Sequence, residues 1–152
     1  MSATQEVIEP RNDVERLVQD ILRSGIVRFS LSSGDGFFHV NLSDPGQEQA
    51  VCSCHHEQWI VRTASWTVSA RLDNTQRVRF VRRRDPHHPE REDLSINLIG
   101  PNGQTALSGY FGQLYDDPNR PLAAPFARWE ELRAKYGGRE EVLVLGGRII
   151  SS

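Results

Sequence analysis

The densest group of side chains that could bind a metal is the run Cys52-Ser53-Cys54-His55-His56. Alternate residues of an extended segment point to opposite faces, so Cys52, Cys54 and His56 would share one face. A thiolate and imidazole trio of this kind can bind a soft metal ion. Zinc sites usually take further ligands from elsewhere in the chain, and the sequence offers no C-x-x-C or H-x-x-x-H partner. The run is therefore either a metal site or a pair of small buried thiols beside two incidental histidines.

The other histidines occupy a strand and a loop. By alternation, His39 shares a face with Phe37 and Asn41, whereas the opposite face is more apolar and is expected to face the core. The side chain of His39 is therefore expected to face solvent or a pocket. His87 and His88 lie between two prolines in a polar loop, where they are either solvated turn residues or part of a mobile lid that supplies a ligand.

A second group of functional side chains is the arginine-rich strand Arg77–Arg83. Alternation places Val78 and Phe80 on one face and most of the arginines on the other. Arginines on an exposed sheet face usually pair with acids, and four acids follow within ten residues: Asp85, Glu90, Glu92 and Asp93. The net charge of −2 argues against a general nucleic-acid or membrane-surface binder.

Enzyme chemistry finds little support in the motifs. The sequence contains no G-x-S-x-G, P-loop, G-x-G-x-x-G or H-E-x-x-H. It has no apolar run long enough to span a bilayer and no secretory signal at its N-terminus. Two closely spaced cysteines make no useful disulfide, which points to the reducing cytosol. The expectation is a cytoplasmic binding protein rather than an enzyme.

These residues must be positioned by a small domain. Residues 1–11 are expected to be a flexible leader and residues 12–152 one domain, since 152 residues suit a single domain. Asn12 and Glu15 form a capping-box pattern before an apolar helical repeat, and Gly25 is expected to end this helix. Pro125 is expected in the first turn of a second helix that carries Trp129.

Strand patterns fill the chain between the two helices. Strands are predicted near 27–32, 37–42, 50–56, 58–62, 67–72, 78–83, 94–99 and 106–111. Hairpins are predicted for 27–32 with 37–42, for 67–72 with 78–83, and for 94–99 with 106–111. The apolar segment 142–150 is expected to form an edge strand or to pack as a tail. The sum is an α+β domain with an antiparallel meander and a helix at each end.

The order of these elements resembles the haem-utilisation family, which includes cytosolic proteins of the HemS and ChuS type and the shorter ChuX and HutX carriers. The resemblance runs from about Gly25 to Tyr136. It rests on Trp59-Ile60-Val61, on Thr67–Leu72 followed by Asp73-Asn74, on Val78–Arg82, on Leu94–Leu98 before Pro101-Asn102-Gly103, on Leu107–Phe111, and on Trp129.

The resemblance implies a sheet that cups a haem. Haem needs an axial donor, an apolar slot and cations for its propionates. The resemblance does not supply the ligand set, so the candidate haem contacts are donors, aromatic residues and cations that the sequence offers: His39, His55, His56, Trp59, Trp66, Arg71, Arg79 and Arg83. The tryptophans, like Phe80 and Phe111, are alternatively plain core residues. The resemblance also implies a homodimer, because the long members are tandem duplications of a unit of this size.

Two departures from the family pattern keep other functions open. The short carriers have histidines in the segment that matches Arg62–Arg71, and this chain has none there. The long members take their iron ligand from a linker that this chain lacks, and haem breakdown by some of them depends on the cofactor's own oxygen chemistry. The main alternative is a haem-less relative that acts as an interaction or small-molecule-binding module; a thiolate and histidine metal-binding protein is a further one.

Overall fold

The computed structural model describes residues 12–23, 28–33, 36–41, 51–55, 58–62, 67–111, 114–116 and 119–150. These residues form two helices and ten strands. The helices are α1 (Asp13–Arg23) and α2 (Ala123–Lys135). The strands are β1 (Arg28–Ser33), β2 (Gly36–Asn41), β3 (Val51–His55), β4 (Gln58–Arg62), β5 (Thr67–Arg71), β6 (Arg77–Arg84), β7 (Glu92–Ile99), β8 (Thr105–Tyr110), β9 (Glu141–Leu145) and β10 (Arg148–Ile150). The predicted α+β class is confirmed.

The strands of the described residues form two antiparallel sheets. The larger has seven strands in the order β10-β9-β6-β7-β8-β1-β2, and the smaller has three in the order β3-β4-β5. Strands β6, β7 and β8 form the predicted meander, and β1 joins it through β8. The predicted hairpins β1–β2 and β7–β8 are both present.

The predicted hairpin between 67–72 and 78–83 is wrong. Strand β5 pairs with β4 in the small sheet, whereas β6 lies between β7 and β9 in the large one. A tight turn, in which Thr75 N–H donates to the Leu72 carbonyl, leads the chain from one sheet to the other. Both edges of β6 are occupied by other strands, so β5 has no edge of β6 to pair with. It lies instead against β8.

One hydrophobic core lies between the large sheet and the helices. Val14, Leu17, Val18 and Ile21 of α1 are buried, as the helical repeat predicts. In α2, Trp129 packs edge-on against Phe80 with ring centroids 6.5 Å apart, and its indole N–H donates to the Ser95 carbonyl at 3.1 Å. Buried side chains of the sheet complete this core: Val78, Leu94, Ile96, Leu98, Leu107, Val142 and Val144.

The N-terminus of α1 is hydrogen-bonded to the turn between β9 and β10. Asn12 Oδ1 accepts a hydrogen bond from the Glu15 backbone N–H at 2.9 Å, which is the predicted cap. The Gly147 carbonyl accepts from Asp13 N–H and Val14 N–H, and Asp13 Oδ2 accepts from Ile149 N–H at 2.9 Å. The predicted stop at Gly25 lies outside the described residues. Segment 142–150 forms β9 and β10, so the edge-strand alternative is confirmed.

Candidate functional site

The predicted site residues that the structure describes are divided between the two sheets. Cys52, Cys54 and His55 lie in β3, and Trp59 lies in β4 opposite Cys54. In the register, His55 is opposite Gln58, and Gln58 is opposite Arg71 at the end of β5. Two inter-strand spacings separate His55 from Arg71, or about 10 Å. The small sheet therefore brings a histidine, a tryptophan and an arginine to one end.

His39 belongs to the large sheet. It lies in β2 opposite Ser30, and that row of the register continues across the sheet through Ser108 and Asn97 to Arg79. Four inter-strand spacings separate His39 from Arg79, or about 19 Å along the row. His39 and Arg79 therefore lie on the same row of the large sheet, with three strands between β2 and β6.

The predicted metal trio is untested. His56 and Trp66 lie outside the described residues, whereas the backbone positions of Cys52 and Cys54 lie in β3. Within the described ranges, His, Cys, Asp and Glu residues form no group of three or more that could hold a metal ion. The trio of Cys52, Cys54 and His56 stays a prediction because one of its members falls outside those ranges.

The open face of β6 carries the arginines, as alternation predicted. Val78 and Phe80 are buried on the core face, whereas Arg77, Arg79 and Arg83 are exposed. Arg79 Nη2 lies 2.8 Å from Glu141 Oε1 on the neighbouring strand β9. The open face of β6 is thus cationic and partly neutralised by a cross-strand acid.

Arg71 is likewise paired. Its Nη2 lies 2.5 Å from Asp73 Oδ2 and its Nε lies 3.1 Å from Oδ1, which makes a bidentate contact. This hydrogen bonding with Arg71 is the main cause that lowers the pKa of Asp73. Arg83, in contrast, forms no ion pair with any residue that the structure describes, and lies opposite Asp93 in the register.

Arg82 connects the C-terminal end of β6 to α2. Its guanidinium contacts Glu92 at 2.6 Å, lies 3.6 Å from Glu130 and stands 5.3 Å from the Phe126 ring centroid. The hydrogen bond from Arg82 lowers the pKa of Glu92, and the same bond raises the pKa of Arg82. Glu92 was one of the acids expected to pair with the arginines of the exposed face; it pairs instead with Arg82, which alternation placed on the face of Val78 and Phe80.

The loop with His87 and His88 is exposed. Asp85 Oδ1 accepts from the His87 backbone N–H at 2.8 Å, and this bond lowers the pKa of Asp85. His88 Nδ1 lies 3.7 Å from Glu90. These contacts are those of a solvated turn. Phe80 and Phe111 are buried, which confirms the core alternative for these two aromatic residues.

Sequence reasoning missed two exposed leucines. Leu143 and Leu145 in β9 are 54% and 67% exposed, and they alternate with the buried Val142 and Val144. They line a cleft of ≈ 420 Å³ at the end of the large sheet, together with Arg77 and Pro101. The signal was present in Glu141–Leu145, where an uninterrupted apolar run in an edge region puts apolar side chains on both faces.

The described helices are too short to cross a membrane. No protein-family model and no curated protein matches the chain. Solved structures do match.

The haem-binding protein ChuX superposes with a TM-score of 0.57 over 79% of this chain and 70% of the ChuX chain, at 15% identity. A protein from Agrobacterium tumefaciens gives 0.57 over 79% of this chain and 64% of its own, at 19% identity. The haem-degrading enzyme ChuS from Escherichia coli O157:H7 gives 0.50 over 80% of this chain and 34% of ChuS, at 12% identity.

The chain thus spans less than two thirds of the Agrobacterium protein and about a third of ChuS. At identities this low, the superpositions establish a shared fold and nothing about the ligand, which must be argued from the residues of the site. The two sheets and the two helices described above therefore give this chain the α+β fold of the ChuX and ChuS haem-utilisation proteins.

Proposed function

We propose that this chain binds haem reversibly and passes it on in haem-iron utilisation. The observation that carries the proposal is the fold shared with ChuX, a haem-binding protein. The chain's own residues supply the groups that haem requires: imidazoles for the iron, indoles for the macrocycle and guanidiniums for the propionates.

The proposed contacts fall into three roles. His39, His55 and His56 are the candidate iron ligands. Trp59 and Trp66 are the candidate contacts to the macrocycle. Arg71, Arg79 and Arg83 are the candidate propionate partners. When bound, haem would supply the iron chemistry, and these residues would hold and orient it.

The arginines suit this role because their present partners are exchangeable. The side chains of Arg71 and Arg79 are 69% and 50% exposed in their ion pairs. Exposed ion pairs contribute only about 0.2–1 kcal/mol, so a propionate can replace Asp73 or Glu141 at little cost. Arg83 has no such pair among the described residues and needs no exchange.

Titration with hemin tests the proposal. We expect a saturable shift of the Soret band in the wild type, weakened in whichever of His39→Ala, His55→Ala and His56→Ala removes the iron ligand. His87→Ala is the matched control, because its exposed loop shows only the contacts of a solvated turn. A spectrum that drifts linearly without saturating rejects haem binding.

The alternative is an interaction or small-molecule-binding module without haem. Two observations favour it: Arg62–Arg71 contains no histidine, and Arg71 and Arg79 already contact carboxylates. Simultaneous replacement of all five histidines separates the alternatives, since this module would keep its ligand and a haem carrier would lose it. Elemental analysis of purified protein checks the thiolate site at Cys52, Cys54 and His56.

We also propose a cytoplasmic homodimer built from a single domain of residues 12–152. The pairing rests on the resemblance to long family members that duplicate a unit of this size, and the fold likeness to part of the longer ChuS chain supports that resemblance. Size-exclusion chromatography with light scattering measures the mass in solution. A mass of twice 17.2 kDa is expected; a monomer over the whole accessible concentration range contradicts the pairing.

A further inference from the structure

A cleft lies at one end of the large sheet, where two of its turns meet the turn that enters it from the small sheet. The β5–β6 turn contributes Asp73–Gln76, the β7–β8 turn contributes Pro101 and the β9–β10 turn contributes Gly146. The turns are close neighbours: a Cβ built on Gly100 would lie 3.9 Å from the Asn74 carbonyl oxygen. The volume of ≈ 420 Å³ is in the range of small-molecule sites, about 300–1,000 Å³.

One wall of the cleft is apolar and open to solvent. Leu143 and Leu145 are the large hydrophobic side chains that the described part of the chain leaves exposed. They lie two residues apart on β9, which makes an apolar strip about 7 Å long. The strand fixes both positions, since Val144 N–H donates to the Gln76 carbonyl at 2.8 Å. The strip is therefore a preformed apolar surface.

The charge beside this strip is positive. Arg77 lies opposite Leu143 in the register and lines the cleft. It is exposed and forms no ion pair with a described residue. Asp73 also lines the cleft, but Arg71 neutralises it through the bidentate contact. Arg77 is thus left as the lining cation available for a ligand.

We propose that this cleft binds an open-chain apolar monocarboxylate. The hydrocarbon chain would lie along Leu143 and Leu145, and the carboxylate would accept hydrogen bonds from Arg77. A narrow strip suits a chain better than a flat macrocycle. Arg77 is the arginine among the residues that line the cleft, and the exposed Arg148, opposite Leu145 on β10, lies beside the strip and outside that lining. An added peptide strand is disfavoured because β9 already pairs on both sides, with β6 and β10. Arg77, Leu143 and Leu145 are not among the proposed haem contacts, so this proposal does not rest on haem binding.

Binding of decanoate tests the proposal, with decanol and decyltrimethylammonium as neutral and cationic probes of equal chain length. Nuclear magnetic resonance shifts at residues 73–77 and 143–146 report the location, and titration gives the affinity. We expect decanoate to bind at least about tenfold more tightly than either comparison probe, because a hydrogen bond to a charged group contributes that much.

Variants locate the contacts. Arg77→Gln is expected to weaken decanoate about tenfold without changing decanol. Leu145→Ser is expected to weaken both probes about three- to tenfold. Arg84→Gln, at the opposite end of β6, is the matched control and should leave both affinities unchanged. All three side chains are exposed, so the fold should tolerate the changes.

Three results would overturn the proposal. The first is equal affinity for decanoate and decanol. The second is decanoate binding that Arg77→Gln leaves unchanged. The third is that stoichiometric hemin displaces decanoate from the wild type but not from Arg77→Gln. This result would assign the cleft to the porphyrin.

Discussion

The arginines show what residue patterns can and cannot predict. Alternation along β6 correctly placed Arg77, Arg79 and Arg83 on the open face and Phe80 in the core. The ion-pair partner of Arg79 could not be predicted from the sequence. Glu141 follows Arg79 by 62 residues and contacts it only because β9 pairs with β6. Side-chain faces follow from local periodicity, whereas cross-strand partners depend on the order of strands in the sheet.

One residue-scale contact links α1 to the C-terminal end of α2. The Tyr136 hydroxyl donates to Asp20 Oδ2, and Lys135 Nζ lies 2.7 Å from the same oxygen. Tyr136 is buried in the core, whereas the Lys135 side chain is 55% exposed. Burial, together with the bond to Asp20, raises the pKa of Tyr136 far above its usual range.

Replacing Tyr136 therefore tests this link. Tyr136→Phe is expected to lower the free energy of unfolding by about 1–2 kcal/mol, because a hydrogen bond to a charged group is lost. Lys135→Gln is the control, with an expected effect below about 1 kcal/mol for an exposed pair. Urea unfolding followed by tryptophan fluorescence gives both values, and equal losses in the two variants would disprove the ranking.

The pH dependence of stability has a defined sign. In the unfolded chain Tyr136 ionises near pH 10, whereas in the folded chain its raised pKa keeps it protonated. The unfolded state then releases a proton that the folded state retains, so stability falls as pH rises above about 10. Tyr136→Phe should lose this component of the alkaline decline; an unchanged decline would show that other groups cause it.

At the scale of elements, the boundaries of helices and strands were more predictable than the pairing of strands in the sheets. The capped helix α1, the turn-bounded strands and the proline in the first turn of α2 all follow from local signals. The partner of β5 did not, because the turn at Asp73–Gln76 looks the same whether it closes a hairpin or crosses between sheets. The exposed leucines of β9 were missed because an apolar run does not show which of its faces is covered.

The docking of α1 on the β9–β10 turn gives a sharp element-scale prediction. Gly147 has φ +81°, and a Cβ there would lie 2.5 Å from Asn12 Nδ2. Gly147→Ala must therefore displace the residue that caps α1, in addition to straining its own backbone. The expected loss of stability is about 1.5–4 kcal/mol, from backbone strain of about 1–2 and a cap of about 0.5–2.

Gly146→Ala is the matched control for that prediction. Gly146 also has positive φ, at +58°, but its Cβ would meet nothing within 4 Å. Its expected loss is the backbone strain alone, about 1–2 kcal/mol. Thermal unfolding ranks the two variants. A Gly147→Ala variant no less stable than Gly146→Ala would show that the contact between α1 and the turn contributes little.

At the scale of the whole molecule, strand order predicted the fold, whereas the proposed ligand set stays a prediction. The resemblance to haem-utilisation proteins is confirmed in architecture by the superpositions on ChuX and ChuS. Sequence patterns could not single out one iron ligand for the proposed haem, because an axial donor depends on which side chains the two sheets bring together. His39 and His55 lie in different sheets, and no periodicity relates them.

The haem content of reconstituted protein tests the central claim most directly. Protein mixed with excess hemin is passed through gel filtration, and the haem that co-elutes is measured against protein concentration. Haem carriage predicts that a stoichiometric amount stays with the folded chain and that apomyoglobin can later withdraw it. Hemin that separates completely from folded protein on the column would contradict haem binding and leave the shared fold without its proposed ligand.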